Sequence, residues 1–560
     1  MQNLISFLFF QIVSLGTFSL LSPFFKIKCD KDKIGTSIFW GFWIAMLLSY
    51  LFALTIPHRL NIACYLIFLG SLVGIGRLIN TGKIREILKS NYVFCLFFLI
   101  PFVFFLVHKP SSCDEYGHWV LLPKIYVETN NLVTAAVTSG VGYTPLWALQ
   151  AAFFEFLTPG NFSESVIATL KIGIFISFLF FLKETFKLNN LIFLLFSFFT
   201  LLIISKFNKH LVIEFPICML IASLSFVVYA LEKGEGKELL VLLLIGALSL
   251  YMVKKSMIAV LPSVLWYLWV KNYKKQLFVF LGIFCFFVIS WKIKTYGTSE
   301  LLAPGHTINS FSSSQAFLVY SCFFQKVKEN FFYFLIFGIS LYLFFRESQR
   351  LFIFYIIFSL IFIMALIVSY LFSFSDIEAL KLASFLRYMS SVFYPAYVLA
   401  LFILLSKILE KIKIQPKKIE PSRIRLGIAV LSFTIGASYF YQGYNESKRD
   451  YVGQMIAKIP LSLISQHENV LILGSLVPQY GYWRFRYHLY PWVQKLEFRS
   501  FDNLSDQDVE KMLSKNNLII VRETNDKFNQ YLKTYWGLDT RRYAQFLLYK
   551  KNNRVQTQKL

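Results

Sequence analysis

Apolar residues fall in runs of roughly 16 to 23 separated by short polar stretches, about the length a helix needs to cross a bilayer. These runs predict membrane helices at Leu4–Phe25, Thr36–Ile56, Asn61–Leu78, Tyr92–Val107, Val166–Leu182, Leu191–Ser205 and Leu211–Ala230. Further runs follow at Leu239–Val253, Met257–Val270, Leu277–Ile293, Phe331–Phe345, Leu351–Phe372, Tyr388–Leu409 and Leu426–Tyr441, about fourteen in all. The first run lacks a basic leader and a small-residue cleavage site, so it reads as a membrane helix rather than a removed signal. Tyr143–Leu157 reads as an amphipathic or re-entrant segment.

The polar interruptions orient the chain. Five are basic: 26–33, 83–89, 271–275, 346–350 and 407–425. Placing all five in the cytoplasm agrees with the alternation of the spans. Residues 109–164, 294–330 and 373–387, and everything after Tyr441, are then expected outside. Residues 442–560 change character and read as a small soluble α/β or α+β domain. Strands are expected at 469–475, 517–523 and 544–551, and an amphipathic helix at 506–515.

Composition strengthens the membrane reading. The 560 residues are 56% hydrophobic, 19% aromatic and only 16% charged, with a mean hydropathy of +0.58. The net charge of +25 sits largely in loops between helices, where it reads as topology and contact with anionic lipid rather than a nucleic-acid surface. The seven cysteines show no metal or framework spacing, although Cys113 and Cys322 would both face the oxidising side.

Ionisable residues at the expected outer boundary are the candidate chemistry. Asp114 and Glu115 lie just beyond an apolar run, where partial desolvation suits proton abstraction from a hydroxyl. On a short helix Asp114 and His118 share a face and would also suit a divalent metal, while Ser111 or Ser112 offers the competing reading of a helix cap. Glu214 opens a later apolar run, either facing an interior cavity or pairing with a nearby lysine. Lys254 and Lys255 stand on the side where the positive-inside rule disfavours lysine, as phosphate ligands or as snorkelling anchors. Arg387 suits bidentate grip of a phosphoryl group, or anchoring in an aromatic belt beside Tyr388 and Tyr394. Lys124 and the aromatics of 143–147 complete the set.

Together these residues resemble the GT-C superfamily, polytopic glycosyltransferases that use lipid-phosphate-linked sugars, such as the protein O-mannosyltransferases and the lipid A aminoarabinose transferase. "CDEYGHW…K" is similar to a DE-x-SHW-x-x-K motif of bacterial members, with Gly117 in place of Ser. Glu214 stands where those members carry an acid opening a later span. "VKKSMIA" partly matches a K-x-x-G turn, and Arg387–Tyr388 matches an Arg-Tyr pair.

The resemblance implies an α-helical polytopic membrane protein with about 12 to 14 transmembrane helices and a small extracytoplasmic domain. It implies a bacterial inner-membrane enzyme that moves a sugar from a polyprenyl-phosphate donor to a lipid-linked glycan, lipopolysaccharide or other cell-surface acceptor, with inversion. Asp114 is the expected base and Glu115 the second choice, with His118 and Glu214 assisting. Lys124, Lys254, Lys255 and Arg387 are expected at the donor phosphate, and Tyr116, Trp119, Tyr143 and Tyr388 against acceptor or sugar. The residues name no definite cofactor, a divalent metal at the acidic pair is an open alternative, and nucleic acid is not an expected partner. The competing functions are an O-antigen polymerase or ligase, and a transporter or flippase for a lipid-linked sugar.

Overall fold

The computed structural model describes residues 1–27, 29, 31–56, 59–107, 119–132, 144–158, 160–204, 214–236, 238–295, 313–372, 382, 384–411, 421–447, 451–465, 469–473, 485–490, 493, 495–499, 511–512, 518–522, 526–540, 545–551 and 554–559. The chain divides into two compact units, Met1–His108 with Thr129–Tyr444, and Lys109–Glu128 with Asn445–Leu560.

The first unit is helical. Its helices are α1 (Gln2–Phe25), α2 (Ile34–Thr55), α3 (Leu60–Asn80), α4 (Lys83–Leu88) and α5 (Asn91–Phe104). α6 (Leu121–Thr129) belongs to the second unit up to Glu128, and the first unit continues with α7 (Leu146–Leu157), α8 (Glu164–Thr185), α9 (Asn190–Ile204), α10 (Glu214–Glu232), α11 (Leu239–Val253), α12 (Leu261–Val270) and α13 (Lys274–Thr295). The last five are α14 (Ser313–Glu329), α15 (Phe331–Glu347), α16 (Gln349–Phe372), α17 (Phe385–Lys411) and α18 (Pro421–Ser447).

Among the described residues nine helices are long and apolar enough to cross a membrane, or ten if the bent pair α14–α15 is one span. This is a helical polytopic membrane protein. Of the roughly fourteen expected spans, α5, α9 and α11 cover 14 or 15 residues among those described. At 1.5 Å per residue they reach roughly 21–23 Å, short of a 30 Å hydrocarbon core. Residues 257–270 are likewise divided into a 3-10 turn (Lys255–Val260) and α12. α14 is a helix inside a stretch expected to be an outer loop, and the chain bends by 80° between it and α15. α7 is a 12-residue helix, too short to cross, as expected for the amphipathic or re-entrant segment.

Close helix approach in this unit depends on small residues. A Cβ on Gly74 of α3 would lie 1.9 Å from the Gly16 carbonyl oxygen of α1, and one on Gly41 of α2 would lie 2.0 Å from that of Ser14. With no hydrophobic drive between helices in lipid, such backbone contact is a main source of packing energy. Larger gaps are filled by aromatics, including Phe39 stacked on Phe181 and Phe402 against Phe186, Phe196 and Phe226.

α8 and α10 run parallel, since Phe175 lies against Phe215 while Phe186 lies against Phe226 and Tyr229. At their C-terminal ends the basic loops gather. The Glu184 carboxylate of α8 accepts from the N–H groups of Gly35 and Thr36 at 2.7 and 2.8 Å, capping α2 beside Lys33. Lys83 donates to the Cys29 carbonyl at 3.2 Å. Glu232, at the end of α10, holds Lys271 at 2.7 Å and Arg350 at 3.3 Å. Glu347 holds Lys233 at 2.9 Å and also pairs with Lys407. Two carboxylates thus tie together the ends of α10, α12, α15, α16 and α17.

The second unit contains β1 (Asn469–Leu473), β2 (Lys495–Arg499), β3 (Leu518–Val521), β4 (Phe546–Lys551) and β5 (Arg554–Lys559), in the order β2-β1-β3-β4-β5. β1 pairs parallel with β2 and β3, while β4 and β5 are antiparallel. Alternate residues of β1 and β3 serve opposite cores. Val470, Ile472, Leu518 and Ile520 pack with Phe485 and Leu489, and Leu471, Leu473, Ile519 and Val521 pack with Phe528 and Leu532. Burial on both faces explains why these strands read as continuous apolar runs. β2, β5 and α19 (Asp526–Trp536) were not expected from the sequence. Of the expected helix 506–515, the described residues Lys511 and Met512 are helical.

Candidate functional site

Three helix ends meet around one buried carboxylate. Glu214 is the first residue of α10 and is fully buried. Lys254 follows the last residue of α11 with an extended backbone (φ −150°, ψ 121°) that releases its side chain from the helix. Its carbonyl accepts from Met257 N–H at 2.8 Å, starting the 3-10 turn. Arg387 lies in the first turn of α17, which packs along α10. Residues Leu382 and Ser384 just before it have φ of 45° and 59°. Left-handed backbone at non-glycine residues costs about 1–2 kcal/mol each, so the approach to Arg387 is strained and its placement is held by packing. That packing includes the Cys218 Sγ contact to the Ser390 carbonyl at 3.8 Å and the Tyr355 hydroxyl donating to the Val392 carbonyl at 2.7 Å.

Lys254 Nζ lies 3.2 Å and Arg387 Nε 3.5 Å from the same Glu214 oxygen, Oε1. Tyr388 closes the group. The Lys254 ammonium is 4.7 Å and the Arg387 guanidinium carbon 5.1 Å from its ring centroid, and Arg387 Nη2 donates to its hydroxyl at 3.3 Å. One carboxylate faces two cations. Arg387 keeps 27% of its side chain exposed while Glu214 keeps 1%. The second carboxylate oxygen, Oε2, is buried and has no hydrogen-bond partner among the described residues. It is an acceptor offered to a donor.

Glu214, Lys254, Arg387 and Tyr388, singled out from three separate stretches of sequence, are therefore in mutual contact. Lys255 is not part of the group. It is exposed, and among the described residues it forms no ion pair with Glu214. Trp119 and Lys124 belong to the second unit. There Trp119 is buried, and the Lys124 ammonium donates to the Tyr487 carbonyl at 3.0 Å and lies 4.8 Å from its ring centroid. Asp114, Glu115, Tyr116, His118 and Tyr143 lie outside the described residues, as does Cys113. Among the described residues no three His, Cys, Asp or Glu gather as a metal site.

One cation escaped the sequence reading. Lys171 of α8 is 1% exposed, with its ammonium 5.1 Å from the Phe215 ring, next to Glu214, and 5.9 Å from that of Tyr439. Its signal was a single lysine within the run Val166–Leu182, and an ionisable group inside a span is a functional candidate by default. Comparison with family models, curated proteins and solved structures finds no match to this chain.

Proposed function

We propose that the chain is a membrane glycosyltransferase that moves a sugar from a polyprenyl-phosphate donor to a glycan or glycolipid acceptor. The observation that supports this reading is the buried Glu214 carboxylate, whose Oε1 holds Lys254 and Arg387 together where three helix ends meet. In the proposed reaction an acceptor hydroxyl oxygen forms a bond to the anomeric carbon as the bond from that carbon to the phosphate oxygen breaks. The phosphate leaves with the electron pair, the configuration inverts, and the acceptor proton passes to Asp114 or Glu115.

Lys254 and Arg387 would stabilise the charge that develops on the leaving phosphate. Such fixed donors contribute most where water is excluded. Glu214 would hold both cations in place and accept a sugar hydroxyl through Oε2. The gathering of the basic loops at the opposite ends of α8 and α10 supports a cytoplasmic location for those ends and an extracytoplasmic location for the Glu214 site. A bacterial inner membrane is the setting this reading requires, and the fold class it proposes is GT-C-like.

Membranes from cells carrying wild type, Asp114→Asn, Glu115→Gln or Arg387→Ala, at matched protein levels, test the proposal. Loss of one surface-glycan modification in the carboxamide variants and in Arg387→Ala is the expected result. A glycan profile unchanged by all of them would overturn it. Intact transfer chemistry accompanied by loss of lipid-linked sugar movement across the bilayer would instead assign a flippase.

A further inference from the structure

At the C-terminal end of α8 a cavity of about 800 Å³ is lined by Lys33, Lys89, Lys183 and Lys187, over a floor that includes Tyr92 and Phe180. α10 is 19 residues long, so this end lies roughly 28 Å from Glu214. None of the four ammonium groups forms an ion pair among the described residues. The lining also carries Asp32, Glu86 and Glu184. The Glu184 carboxylate is committed to capping α2 through Gly35 and Thr36, and Glu86 is exposed.

The lysines are placed by the backbone rather than by chance rotamers. α8 ends with Leu188 N–H bonded to the Lys183 carbonyl at 3.0 Å, which puts Lys187 at a left-handed position (φ 49°) where glycine is the usual residue. Lys183 is fixed over the rings of Phe180 and Phe193, at 5.7 and 4.8 Å from their centroids.

An apolar surface runs away from this cationic end. α18 begins there, with Gly427 against Leu194 of α9 and the Arg425 guanidinium 5.9 Å from the Phe94 ring of α5. Further along it exposes Leu426, Val430 and Phe433, flanked by exposed Phe97 on α5 and Leu191 and Leu195 on α9. A cationic recess at the head of an exposed aliphatic surface matches an amphiphile with a phosphate head and acyl chains.

We propose that this recess binds the phosphate headgroup of an anionic phospholipid whose acyl chains lie along α18. The site is separate from the Glu214 group and does not depend on the activity assigned there. The test is native mass spectrometry of the full chain in detergent, titrated with phosphatidylglycerol, phosphatidylcholine or glycerol 3-phosphate. A lysine near a phospholipid headgroup contributes about fivefold in affinity, so Lys33→Gln with Lys187→Gln should weaken phosphatidylglycerol binding roughly 25-fold. The Lys33→Arg with Lys187→Arg pair should retain it. Phosphatidylglycerol binding unchanged in the glutamine pair would overturn the proposal, as would equal binding of phosphatidylcholine. Glycerol 3-phosphate binding as tightly as the lipid would also overturn it, assigning the recess to a free phosphate ester.

Discussion

The contact between Glu214 and Lys254 carries a definite energetic consequence. The two groups are 3.2 Å apart, with side chains 1% and 11% exposed. At an effective dielectric of about 20 the gross attraction at that distance is roughly 5 kcal/mol, before desolvation is subtracted. Removing one partner of a buried pair leaves the other uncompensated, at a cost of about 3–5 kcal/mol. Arg387, 27% exposed, softens this by remaining near the carboxylate when Lys254 is lost. Glu214→Gln should therefore destabilise by about 3 kcal/mol and Lys254→Met by about 2–3 kcal/mol. The double variant should be little worse than Glu214→Gln, giving a coupling of about 2–3 kcal/mol. Reversible unfolding in mixed micelles with sodium dodecyl sulfate, followed by tryptophan fluorescence, measures all three. Ordinary polar contacts between membrane helices average about 0.6 kcal/mol in such cycles. A coupling at or below that value would refute the ion-paired arrangement.

Other expectations concern packing and the opposite end of the bundle. Gly74→Ala places a methyl group 1.9 Å from the Gly16 carbonyl oxygen and should lower stability by about 1–3 kcal/mol, while Gly76→Ala, with nothing within 4 Å, should change it by under about 0.5 kcal/mol. The same unfolding assay separates them, and equal effects would contradict the close α1–α3 approach. Glu232→Gln releases Lys271 and Arg350, the latter 45% exposed, so the loss should be only about 1–2 kcal/mol. The gap from wild type should narrow between 50 mM and 500 mM salt, about the range over which the screening length falls below that of physiological salt. In the second unit, Thr540→Val removes the buried hydroxyl that donates to Asn529 Oδ1 at 2.7 Å, for an expected loss of about 1–2 kcal/mol read by the same unfolding measurement.

Much of the helical plan was legible because long apolar runs leave few alternatives. α11 begins and ends where the run Leu239–Val253 does, and α2 differs from its run by a residue or two. What periodicity could not convey was length against bilayer thickness, since Tyr92–Val107 looks like a span but α5 stops at Phe104. α14 escaped because its apolar residues are mixed with Ser, Gln and Lys in an amphipathic pattern. β5, "RVQTQK", carries one apolar residue and is an edge strand held by pairing with β4, so no apolar run announces it. At the site, sequence order placed Glu214, Lys254 and Arg387 on one side of the expected topology. Their shared oxygen is a tertiary fact, set by how α10 packs on α11 and α17.

The most direct test of the proposed function uses the purified chain in lipid nanodiscs, with a radiolabelled polyprenyl-phosphate sugar and an extract of acceptor glycolipid. Wild type should transfer label and release polyprenyl phosphate, and Arg387→Ala, still folded, should do so at a rate roughly 10²–10³ lower, the cost of losing one fixed charge-stabilising donor. Transfer by Arg387→Ala at the wild-type rate would contradict the central claim that the Glu214–Lys254–Arg387 group holds the donor phosphate.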